Sequence, residues 1–116
     1  MNNKDFGKQM EQRTKAFAVK IIRLSAKLPN TIEGRIIRNQ LTKSGTSVGA
    51  NYREANRGRS KPDFRNKIKI CESESNESCY WLELIEEMEW CDTCAELKES
   101  NALMAIFSSI GKTMTN

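Results

Sequence analysis

Seven cations crowd one short stretch of this 116-residue chain: Arg53, Arg57, Arg59, Lys61, Arg65, Lys67 and Lys69. Side chains of this type and density can displace counterions from a nucleic-acid phosphate backbone, giving an affinity that falls steeply with salt. Tyr52 offers an aromatic ring beside them. Nothing in the stretch is suited to reading bases, and no RNA-binding fold signature accompanies it. The alternative is a solvated helix end whose charges answer an acidic segment of the same chain or of a second copy.

Just upstream, "TKSGTSVGANYREANRGRS" (Thr42 to Ser60) has the look of a phosphate-cradling loop. A Walker loop requires G-x-x-x-x-G-K-[ST] after a strand, and a dinucleotide turn requires G-x-G-x-x-G. Gly45 and Gly49 are four apart, no lysine follows the second, and no strand pattern precedes. They fall within a helical stripe instead. Glycine inside a helix costs ~1 kcal/mol relative to alanine, so close helix approach is the expected compensation. An antiparallel register about residue 59 sets Ser44 and Gly45 opposite Ser75 and Glu74, and Leu41 opposite Ser78.

Two further constellations have residue types that could carry chemistry. Glu54, Glu72, Glu74 and Glu77 invite a di-iron reading, but that site uses Glu-x-x-His pairs and the chain has no histidine. Lack of histidine also removes the commonest general base and every Ser-His or Cys-His nucleophile. The glutamates are expected to pair with Arg53 and Arg57. Of the four cysteines, Cys91-x-x-Cys94 has redox or half-zinc-site spacing, whereas Cys71 and Cys79 are eight apart and make no second half-site. Reduced, packed thiols are the expectation, with no metal, cofactor or catalytic residue.

The elements that position these residues follow from spacing. Met10, Thr14, Phe17, Ile21, Leu24 and Leu28 recur at steps of four and three, widened by Ala18, Ile22 and Ser25, and Pro29 ends that helix. Asn30 with Glu33 forms a capping pattern for the next, striped by Ile37, Leu41, Gly45, Val48, Tyr52 and Ala55 and closed by a left-handed Gly58. Ser60-Lys61-Pro62-Asp63 starts a third helix after a very short link, which makes the two antiparallel neighbours. That helix has one face through Phe64, Ile68, Cys71, Ser75, Ser78, Leu82 and Ile85 and a second through Ile70, Glu74, Glu77, Trp81, Leu84 and Met88. Thr93 with Glu96 caps a fourth, striped by Leu103, Ile106, Phe107, Ile110 and Met114. The fold class is all-α, an antiparallel up-down four-helix bundle formed as a single domain over residues 1–116. Trp81, Leu84, Met88 and Trp90 extend an apolar stripe away from the second helix and are the candidate oligomer interface.

Charge is unevenly spread along this frame. Residues 1–42 carry nine Lys/Arg against three Asp/Glu, residues 43–69 eight against two, and residues 70–99 one against ten. Such asymmetry suits an acidic partner or mutual neutralisation between helices. No apolar run reaches the ~18 residues of a membrane span, and the polar start lacks a secretory core. A cytoplasmic protein that engages no membrane is expected.

The central motif also resembles a known family. Ser44-Gly45-Thr46-Ser47, Val48-Gly49-Ala50-Asn51 with Glu54-Ala55, Asp63-Phe64, Lys67, Ile70, Glu77 and Tyr80-Trp81-Leu82-Glu83-Leu84 are similar to the bundle proteins encoded by intervening sequences within bacterial 23S ribosomal RNA genes. The resemblance implies an up-down bundle assembling into a ring-shaped homo-oligomer, typically a homopentamer, with no assigned enzymatic activity. That family is similar in turn to accessory proteins of diversity-generating retroelements, which implies RNA, DNA or a reverse transcriptase as partners. Cys91-x-x-Cys94 and the serine-rich "CESESNES" depart from the family pattern.

Overall fold

The computed structural model describes residues 3–114, nearly all of them in α1 (Asn3–Ser25), α2 (Ile32–Asn56), α3 (Lys61–Glu87) and α4 (Cys94–Met114). Each helix packs along the next, and α1 returns to α4 through a thinner contact, giving an up-down bundle. No strand occurs among the described residues. The 27 residues of α3 run the length of a molecule measuring 44 × 22 × 19 Å.

The core is built from the stripes that the spacing marks. Phe17, Ile21, Leu41, Val48, Ile68, Leu82, Ile85, Leu103 and Phe107 are essentially sealed from solvent. Fully burying an aliphatic or aromatic side chain contributes ~1.5–3 kcal/mol, so this continuous cluster from all four helices is the main stabilising term. Ile22, expected to widen the α1 face, is 50% exposed instead. α1 packs extensively on α2 and only thinly on α4, and Ile22 falls outside the arc set by Ile21, Leu24 and Ser25.

The helix ends depart from the capping expectations in three places. Thr31, not Asn30, caps α2, its hydroxyl accepting from the Gly34 N–H at 3.0 Å. Asn30 instead accepts from the Arg35 guanidinium at 3.0 Å. Gly58 has no positive φ; a β-carbon there would sit 3.0 Å from the Ala55 carbonyl, so the position calls for small size rather than a left-handed backbone. At α4 the Asp92 carboxylate takes the Cys94 N–H at 3.0 Å, while the Thr93 hydroxyl is buried without a hydrogen-bond partner. Ser60 does cap α3, accepting from Asp63 N–H at 3.2 Å.

Gly45 and Gly49 lie in α2, as the stripe requires, but they face α1. A β-carbon on Gly45 would meet Ile21, and one on Gly49 would lie 3.3 Å from the Thr14 backbone carbonyl carbon and oxygen. The α2–α3 contact is a seam of serines. Ser78 Oγ donates to Ser44 Oγ at 3.0 Å, and Ser44 Oγ in turn to the Leu41 carbonyl at 3.2 Å. Cys71 faces Val48 as the expected register demands, yet Ser78 meets Ser44 rather than Leu41. Side chains lean toward the N-terminus of their own helix. On antiparallel neighbours those leans converge, which brings Ser78 and Ser44 together from different axial levels. The seam continues into α4, where Ser100 Oγ donates to the Ser75 carbonyl at 2.8 Å.

Candidate nucleic-acid interface

The cationic stretch spans the last turn of α2, the short link and the first turns of α3, so the fold gathers it at one end of the bundle. Its members are not equivalent. Arg53 and Arg57 both approach the Glu11 carboxylate of α1 at 3.6 Å, and Asn56 Nδ2 donates to the same carboxylate at 2.9 Å. The Asn56 hydrogen bond, with Arg57 and Arg53 behind it and burial opposing, holds the Glu11 carboxyl below its ordinary range. Arg57 Nη1 also donates to the Arg53 carbonyl at 3.1 Å, satisfying an acceptor at the negative end of the α2 dipole.

Lys67 donates to Glu54 at 2.8 Å across the α2–α3 contact, and that hydrogen bond raises the lysine above its ordinary range. Arg65 is half-buried with its Nε enclosed and unpartnered. Arg59, Lys61 and Lys69 are exposed and, among the described residues, form no ion pair. A shallow groove along the α2–α3 end is lined by Arg53, Arg57, Arg59 and Lys67 together with the carboxylates of Glu54 and Asp63. The paired Arg53 and Arg57 keep side chains 56% and 65% exposed, so the groove is lined by paired and unpaired cations alike.

Several expected roles are placed differently. Tyr52 is 2% exposed, with its ring 5.7 Å from that of Phe107, so it packs in the core and is closed to base stacking. Glu54 pairs with Lys67 rather than with Arg53 or Arg57. Glu74 and Glu77 lie farther along α3 and do not meet those arginines. Burial, and then the neighbouring Glu77, push the Glu74 carboxyl upward, with Lys43 opposing. Glu77 instead accepts from Trp81 Nε1 at 3.3 Å.

Sequence spacing did not single out Glu11, the hub of the arginines, because its partners are more than forty residues away. It also passed over the bidentate Arg13–Glu99 pair, at 2.7 and 2.8 Å, which ties α1 to α4 where those helices are least closely packed. An Arg and a Glu on facing helices leave no local signature.

On the second face of α3, Trp81 and Leu84 are half-buried and Met88 is 57% exposed. Trp81 and Trp90 are both half-buried and pack against the core of their own chain. Cys71 and Cys79 are buried free thiols and Cys91 is half-buried against the core, while Cys94 is exposed, so packing leaves only Cys94 unaccounted for.

The family model for the 23S rRNA-intervening sequence protein matches residues 8–116. The chain belongs to that family. A solved structure titled as a protein with unknown function from the S23 ribosomal protein family of Bacteroides thetaiotaomicron VPI-5482 is 34% identical. The likeness covers 91% of this chain and 97% of that one, with a TM-score of 0.83. No curated protein matches the chain. In this intervening-sequence bundle no helix among the described residues is long and apolar enough to cross a membrane.

Proposed function

We propose that the chain is a non-catalytic, self-assembling bundle whose basic end binds the phosphate backbone of a nucleic acid. The observation that carries this reading is the set Arg59, Lys61 and Lys69, exposed and without acid partners at the same end as the groove. Exposed cations such as Lys20 and Arg23 also form no ion pair among the described residues, so it is the concentration of these three beside Arg53, Arg57 and Lys67 at one end that favours a polyanionic partner. The family's link to a ribosomal RNA gene favours RNA among nucleic acids. Assembly is favoured by the uncovered side of α3, where Ile70, Tyr80 and Met88 are 40%, 54% and 57% exposed beside Trp81 and Leu84.

Binding of single-stranded RNA and duplex DNA across a salt series tests the proposal. Each phosphate contact contributes about 0.7 to 0.9 to the slope of log affinity against log salt. The Arg59/Lys61/Lys69 triple alanine is therefore expected to flatten that slope by about two to three. An unchanged slope would remove this end of the bundle as the contact. Light scattering after gel filtration tests assembly, and a monomer at micromolar concentration would overturn it.

A further inference from the structure

The four thiols divide into two kinds. Cys71 and Cys79 are 0% and 3% exposed, and their Sγ atoms donate to the Val48 carbonyl at 3.5 Å and to Ser100 Oγ at 3.2 Å. Cys91 and Cys94 flank a chain reversal: Cys91 lies in the bend after α3 and Cys94 is the first residue of α4. The Asp92 carboxylate accepts from the Cys94 N–H at 3.0 Å, folding the backbone between the two cysteines into a tight turn. Thr93 at its centre is 2% exposed, so the turn is pinned to the protein by its middle residue. The Leu97 N–H then bonds to the Thr93 carbonyl at 2.8 Å and starts the helix. Two cysteines at this spacing, at the start of a helix and with one of them open to solvent, have the layout of exchangeable disulfides.

We propose that Cys91 and Cys94 form a reversible intrachain disulfide by exchange with a small-molecule disulfide. The exposed Cys94 thiolate attacks one sulfur of that disulfide, forming a mixed disulfide and releasing one small thiolate. The Cys91 thiolate then attacks the Cys94 sulfur, closing the protein S–S bond and releasing the second small thiolate. Two cysteine thiols are oxidised, one small disulfide is reduced to two thiols, and the two cysteine protons end on the leaving groups. Access sets the order of attack: Cys91 is packed against the core, and its burial pushes the thiol upward with Lys27 only partly opposing. The bond clamps the α3–α4 turn at the end of the bundle remote from the cationic groove, so it is independent of nucleic-acid binding. Trp90, adjacent to Cys91 and packed on the core, gives the turn an optical reporter.

The folded protein is equilibrated in glutathione buffers of rising oxidised fraction, quenched, unfolded and titrated for free thiols, with the mass of each peptide recorded after cleavage at glutamate, which isolates Cys91 and Cys94 in Trp90–Glu96. Wild type is expected to lose two of its four thiols, both in the Cys91–Cys94 peptide, with quenched tryptophan emission and full recovery in reduced glutathione. Cys91→Ser should hold one glutathione on Cys94, and Cys94→Ser should keep all its remaining thiols. Retention of all four thiols by wild type, a stable glutathione adduct, or disulfide-linked dimers would each overturn the proposal. So would oxidation that proceeds no further in the folded protein than in the urea-unfolded chain, since the turn would then confer no advantage.

Discussion

Gly45 on α2 lies so close to Ile21 on α1 that a β-carbon added to it would stand 2.7 Å from Ile21 Cγ2 and 2.9 Å from Cγ1. Ile21 is fully buried and β-branched, with little freedom to turn aside. Gly45→Ala gains ~1 kcal/mol of helix propensity and loses roughly 1–3 kcal/mol to overpacking. A net loss of up to ~2 kcal/mol in urea unfolding is therefore expected, and Gly45→Leu should separate α1 from α2 altogether. In an Ile21→Ala background the crowding is gone, and Gly45→Ala should become neutral or stabilising. An equal cost in both backgrounds would show that Ile21 is not what the glycine makes room for.

That contact marks how far spacing alone carries. The stripe through Leu41, Gly45, Val48 and Tyr52 shows that both glycines sit inside a helix, because period is a property of one segment. Which neighbour they face is a property of two segments, and Gly45 is flanked by α1 as well as by α3. Antiparallel counting from a short link favours α3, while the close approach is made to Ile21 and Thr14. The site shows the same division. The cationic cluster at Arg53 to Lys69 is contiguous and therefore visible in sequence. Its sorting into paired and unpaired members depends on Glu11, brought in from α1 only by the fold. Tyr52 looked available because it adjoins arginines, yet its place on the core stripe already implied burial.

Glu11 restrains two of the cations at the candidate interface, so removing its charge should release them. Glu11→Gln keeps a side chain able to accept from Asn56 while leaving Arg53 and Arg57 without their carboxylate. Nucleic-acid affinity at low salt is expected to rise, and the salt slope to steepen by up to about two phosphate contacts. Filter binding or fluorescence anisotropy across salt measures both. A variant indistinguishable from wild type would mean that neither arginine reaches the ligand.

Stability should fall in alkali through the thiol of Cys71. Burial raises it from 9.0 to about 12. Between those values the unfolded chain has released the proton and the folded protein has not, so the stabilisation is complete below pH 9.0 and disappears as pH rises toward 12. Each pH unit in that window costs about 1.4 kcal/mol. Burial pushes Tyr52 and Cys79 upward as well, and both steepen the same limb. Cys71→Ala should therefore be somewhat less stable at neutral pH but show a shallower alkaline decline. Parallel limbs in urea melts from pH 8 to 11 (roughly spanning the window) would count against a proton held on Cys71.

Glu89 is the one non-glycine residue with positive φ among those described, at 57°. It closes α3 in a Schellman arrangement: the Glu89 N–H bonds to the Glu86 carbonyl at 3.0 Å and the Trp90 N–H to the Ile85 carbonyl at 3.2 Å. A side chain in this conformation costs about 1–2 kcal/mol that glycine does not. Part of that advantage returns to the unfolded state through the freedom glycine gains there. Glu89→Gly is expected to raise stability by about 1 kcal/mol in urea unfolding. The position is also acidic and lies near Glu86, Glu87 and Asp92 in sequence, so loss of charge alone could relieve repulsion. Glu89→Ala separates the two causes, since it removes the charge but keeps the β-carbon. Backbone relief predicts a gain for glycine and none for alanine, whereas an equal gain in both variants would assign the effect to the acidic cluster.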